Sequence, residues 1–150
     1  MGLFRRKSTQ NRQSNASAIT SSVIKQVSAF MDASLLLVPL DSVLSGSRRE
    51  QIIFAYTFGA IDALGHKNSL DHVQTLAVAA LFFREYLRLS DEQSGATAGF
   101  CAKSTTNPEF LHWMEVGGRA CLAWLSGEDR NAPLRLAELA TLPTDNSEVQ

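Results

Sequence analysis

Residues 48–89 read RREQIIFAYTFGAIDALGHKNSLDHVQTLAVAALFFREYLRL, and this stretch decides the fold. Two apolar segments flank a short polar turn. No charge occurs from Ile52 to Ile61, and none again from Val73 to Phe83. A surface helix shows one apolar stripe, whereas a helix apolar on several faces is covered by neighbours on several sides. The stretch therefore predicts a buried helical hairpin, 48–65 and 69–89. The expected fold class is all-α: a compact single-domain bundle of five or six helices around that hairpin.

Upstream, Ile19, Val23, Val27, Phe30 and Met31 recur at helical spacing and predict a first helix from Ala16 to Val38. Pro39 ends it, and residues 41–47 form a linker. Ser47-Arg48-Arg49-Glu50 has the spacing of a capping box and starts the second helix. Gly65 is expected to stop that helix by taking the left-handed conformation. His66, Lys67 and Asn68 make the turn, with Ser69 as the predicted cap of the third helix.

Downstream, Ser90-Asp91-Glu92-Gln93 repeats the capping-box spacing and opens a fourth helix, weakened by Gly95 and Gly99. Asn107-Pro108-Glu109 combines a cap, a proline at the first helical position and an acid in the first turn. The fifth helix carries Phe110, Trp113, Met114, Gly117, Cys121, Trp124 and Leu125 on one face, and Gly127 ends it. A short last helix is expected from Asn131 to Leu142, stopped by Pro143. No window alternates in the manner of a strand.

A chain of 150 residues is enough for one sizeable core. Its 45% hydrophobic and 19% charged residues lie near globular averages and argue against wholesale disorder. No apolar run approaches the roughly 18 residues that span a bilayer. The opening MGLFRRKSTQ lacks the apolar core of a secretory signal, and Arg6 occupies the hydroxyl position of the myristoylation pattern. The expected compartment is the cytoplasm. Cys101 and Cys121 fall in separate predicted helices and read as buried, reduced thiols rather than a disulfide scaffold.

Charge is unevenly spread. Residues 1–12 hold Arg5, Arg6, Lys7 and Arg12 without an acid, while the rest of the chain has 10 basic and 15 acidic residues. The expected organisation is a flexible basic tail over 1–15, a helical bundle domain over 16–142 and an acidic polar tail over 143–150. The body has no basic stripe, so nucleic acid is not an expected partner. The leader's Phe4, Arg5, Arg6 and Lys7 set apolar and cationic side chains together. That combination suits weak, salt-sensitive contact with an anionic membrane surface or an acidic partner; the alternative is a solvated tail without a role.

Two clusters carry groups suited to chemistry. Asp62, His66, Asp71 and His72 gather around the 62–72 turn and could converge on a metal ion, the one cofactor the sequence suggests. Against this, acids at a helix N-terminus favour the dipole, and the register fails the twelve-residue calcium loop. His112 and Glu115 stand three apart, but in reversed order and without the second copy of a di-iron helix motif. There is no nucleophile elbow, phosphate-cradling loop or CxxC pair, so no catalytic residue is assigned and the expectation is a non-enzyme. Gly117 and Gly118 break an apolar helix, and Gly59 lies in a small-residue ridge with Ala55 and Ala63. These glycines predict close helix packing, within the chain or between subunits.

The order of features in the hairpin resembles the TerB-like (tellurite-resistance-associated) helical domains. The similar parts are Asp62 and Gly65, then Leu70 to Leu87, then Leu89-Ser90-Asp91-Glu92, over about forty residues. Two departures stand out: the family's adjacent Asp-Gly is replaced by Asp62-Ala63-Leu64-Gly65, and His72 or Gln74 stands where an early acid is expected. The resemblance implies a stress-linked scaffold or adaptor with reduced acidic character for metal. Together the readings predict a helical adaptor that binds a protein partner or self-associates through an apolar helix face. The rivals are a metal- or ligand-binding protein using the 62–72 turn and a peripheral membrane adaptor using the basic N-terminus.

Overall fold

In the computed structural model the chain is described over residues 2–38 and 48–140, and its side chains over 15–38 and 48–139. Six α-helices follow one another: α1 (Gly2–Ser34), α2 (Arg48–Lys67), α3 (His72–Tyr86), α4 (Asp91–Ser104), α5 (Pro108–Leu125) and α6 (Leu134–Ala140). A 3₁₀ turn, Leu35–Leu37, extends α1, and no strand occurs among the described residues. The protein is an all-α bundle. The expected ends at Pro39 and Pro143, the 41–47 linker, the Ser47 cap and the 143–150 tail lie outside the described residues.

Helix α2 is the centre. Every residue from Ile52 to Ile61 is buried, and α2 touches each of the other five helices. An uncharged run needs such neighbours, because any exposed side would leave apolar surface in water. The structure moves the centre from the 48–89 hairpin to the pair formed by α2 and α5, which is the most extensive helix contact. Helix α3 packs chiefly on α4. It buries Thr75, Val78, Ala79, Phe82 and Phe83 along one face and leaves Val73 74% exposed.

Helices α2 and α5 run in the same sense. Arg48, at the start of α2, pairs with Glu109 at the start of α5, and Ala63, towards the end of α2, meets Gly118. Two parallel neighbours need a crossover, which the α3–α4 hairpin supplies. One continuous core includes Val23, Val27 and Phe30 of α1, Phe82 and Phe83 of α3, Cys101 of α4 and Leu136 of α6. Phe30 stacks on Tyr56 at 5.4 Å between centroids and tilts against Trp124 at 5.8 Å. Such ring pairs add about 0.5–1.5 kcal/mol beyond the area they bury.

Several boundaries differ from the sequence reading, each for a local reason. Helix α1 is continuous from Gly2, so the expected division at residue 15 falls inside it; no proline or glycine interrupts residues 3–34. Helix α2 passes through Gly65 to Lys67. The left-handed residue is Ser69, with φ 60°, and Leu70 N–H donates to the Gly65 carbonyl at 2.9 Å while Ser69 N–H donates to His66 at 3.1 Å. That bond pattern is a Schellman closure with serine in the usual glycine position. Gly65 serves packing instead, since a side chain there would press on Thr75 Oγ1 at 2.8 Å.

With Ser69 consumed by that closure, Asp71 caps α3. Its carboxylate accepts from Gln74 N–H at 2.7 Å, and Gln74 Oε1 accepts from Asp71 N–H at 2.8 Å. Ser90 and Gln93 cap α4 in the same reciprocal way, and Asn107 accepts from Glu109 and Phe110 at the start of α5. Helix α6 begins at Leu134 rather than Asn131, because residues 131–133 form a turn.

Candidate interaction surface

Helix α5 is apolar around most of its circumference, and α2 covers only part of it. Where the two helices meet, glycine decides how close they come. A Cβ on Gly117 would overlap the Tyr56 carbonyl, and one on Gly59 would overlap the Met114 carbonyl. Gly118 faces Gly59 O at 3.0 Å and the Ala63 methyl at 3.3 Å from its own Cβ position. Backbone therefore lies against backbone, without side chains to spread the helices.

Along one edge of this contact the small residues leave a shallow groove of about 360 Å³. Gly59, Ala63, Gly118, Met114, Leu111 and Leu122 form its apolar part. Asp62, Glu115 and Arg119 supply its charged rim, and Arg119 reaches Glu115 one turn away at 3.8 Å. Leu111 is 38% exposed there. At the N-terminal end of α5, Arg48 lies over the Trp113 ring at 5.7 Å while pairing with Glu109, which fixes the N-terminal ends of α2 and α5 together.

The turn singled out for metal does not form a cluster. Among the described residues no three His, Cys, Asp or Glu side chains stand close enough to hold a metal ion. Asp62 lines the groove, Asp71 is occupied as the α3 cap, and His66 and His72 are exposed. Asp62 and His66 share a helix face by spacing, but the Schellman turn and the cap give the next two residues other places. His112 and Glu115 are both exposed on α5, and Glu115 pairs with Arg119.

Both cysteine thiols are buried. Cys101 and Cys121 are inside the core, and desolvation pushes both thiols up to about 12. For Cys121 the Lys67 charge offsets this slightly. Burial also raises the Tyr56 hydroxyl well above its ordinary value, against a weaker lowering by its hydrogen bond to Ser34 at 3.5 Å. Tyr86 is raised by burial and by Asp32, whose Oδ1 accepts its hydroxyl at 2.6 Å. A protonated thiol and a protonated phenol are poor nucleophiles and bases. Every buried side-chain nitrogen and oxygen among the described residues has a hydrogen-bond partner.

Sequence reasoning singled out the three glycines but not Leu111, Arg119 or Leu122. Their signal is the spacing 111, 115, 118, 119 and 122, one helical stripe. It was hidden because the opposite stripe is more apolar. Among the described residues no helix is long and apolar enough to cross a membrane. Comparison with family models, curated proteins and solved structures finds no match to this chain.

Proposed function

We propose that the chain acts without catalysis of its own, as a helical interaction module that offers the α2–α5 groove to another helix. The observation that carries this reading is the groove's construction: an apolar floor opened by Gly59 and Gly118, with Leu111 exposed beside it and charge confined to the rim. Amphipathic helices dock into such grooves through apolar anchors spaced three and four apart, with rim charges setting orientation. The buried cysteines and the satisfied polar atoms favour a binding role over chemistry. The test compares partners captured by the immobilised chain with those captured by Leu111→Lys. Partners lost with the lysine support the reading, and an unchanged set overturns it.

A second reading rests on charge. Residues 1–31 carry Arg5, Arg6, Lys7, Arg12 and Lys25 and no acid, the first acid being Asp32. Each basic residue near an anionic bilayer contributes about 1 kcal/mol, so this segment would add weak, salt-sensitive attachment through Phe4, Arg5, Arg6 and Lys7.

A further inference from the structure

We infer that the helix received at this groove is α5 of a second copy of the same chain, in an antiparallel pairing about a twofold axis near Gly117. The inference rests on the groove reading above and names its partner.

The argument is the order of side chains along the groove face of α5. Leu111, Glu115, Gly118, Arg119 and Leu122 all line the groove. At 3.6 residues per turn they fall within a stripe about 100° wide. Read in either direction the stripe is leucine, charge, glycine-flanked centre, opposite charge, leucine. An antiparallel copy places Leu111 beside the second copy's Leu122 and Glu115 beside its Arg119. Both pairings centre within half a residue of one point on α5, an axial mismatch below the rise of about 1.5 Å per residue. Two-fold contacts are isologous, so a surface serves only if it is complementary to itself, and this stripe is.

The alternatives fit less well. A parallel copy would set Glu115 against Glu115 and Arg119 against Arg119, which is repulsive. Gly118, level with the proposed axis, is packed on Gly59 and Ala63 of α2 and so keeps the groove floor low between the flanking leucines. The Glu115 and Arg119 side chains are 52% and 83% exposed, so both can exchange their intrahelical pairing for one across the axis. Asp62, on the groove's α2 rim, adds a second acid to the face that receives the incoming Arg119.

The experiment is sedimentation velocity of the full chain over a broad concentration series, with Glu115→Arg, Arg119→Glu and the double exchange, each checked for native helicity by circular dichroism. The wild type should dimerise, and each single exchange should weaken the dimer at least roughly tenfold, because two attractive pairs become two repulsive ones. Mixing the two single variants should give a one-to-one heterodimer, since every cross-axis pair is then opposite in charge. The double exchange should dimerise like the wild type. A wild type that stays monomeric, single variants that dimerise unchanged, or a mixture that stays monomeric overturns the inference. Leu111-dependent capture of a partner by a monomeric chain would overturn this pairing while leaving the groove reading intact.

Discussion

Gly117 lies directly against the backbone of Tyr56, with no room for even one methyl group between the glycine Cα and the tyrosine carbonyl. The obstacle is main chain on both sides, so no rotamer change relieves an added side chain. Gly117→Ala should therefore separate α2 from α5 and lower stability by about 3 kcal/mol or more. Gly95, with nothing within 4 Å of its Cβ position, provides the contrast. Gly95→Ala should stabilise α4 by about 0.5–1 kcal/mol. Urea titrations followed by circular dichroism check both signs, and a Gly117→Ala protein as stable as the wild type would refute the close contact.

Ser69 closes α2 with a positive φ that serine holds at a cost. Ser69→Gly relieves that strain and preserves the two backbone bonds of the closure. The expected gain is about 1 kcal/mol, read as a higher urea midpoint at constant slope. A lower midpoint would mean that the serine side chain, not the backbone, holds the turn.

The two core thiols predict an alkaline limit to stability. In the unfolded chain they ionise near the ordinary value of 9.0, while in the folded chain burial holds them protonated up to about 12. For a raised folded value the contribution is complete below the unfolded value and is lost as pH rises through the folded one. Stability should thus fall between about pH 9 and 12, and Cys101→Ala with Cys121→Ala should flatten that limb. In native protein at pH 8 neither thiol should react with a disulfide reagent, whereas both should react in denaturant. Prompt labelling of the native chain would contradict their burial.

Removing residues 1–12 should leave the melting transition unchanged, because the apolar residues at helical spacing in α1 begin at Ile19. The same truncation should abolish any sedimentation with anionic vesicles at low salt. A lost cooperative melt would show that the basic segment belongs to the folded body, and vesicle binding that survives truncation would place the contact elsewhere.

How far the fold could be read from the chain depended on whether one segment carried the whole signal. The burial of α2 was legible in the uncharged run from Ile52 to Ile61, and the α4 and α5 starts in Ser90 and Asn107, because each is a local property. The partner of α2 was not legible. Sequence neighbours usually pack together, which favours α3, yet shape complementarity between Gly59, Gly117 and Gly118 selects α5. Ser69 and Asp71 are both good caps, and only the Schellman closure through Ser69 leaves the role to Asp71. The candidate groove failed to announce itself for a related reason. On a helix apolar nearly all round, Leu111 and Leu122 look like core residues until their neighbours are placed.

The parallel pairing of α2 with α5 also has a consequence for the newborn chain. Arg48 and Glu109 are 61 residues apart, and the crossover between them must be synthesised before α5 exists. At about 5–20 residues per second that interval lasts roughly 3–12 s. Throughout it, the uncharged 52–61 segment has at most α1, α3 and α4 to shelter it, with its glycine-lined side open. The most extensive contact of the central helix is therefore closed to it until α5 is made, and during translation that segment is the natural client of a chaperone.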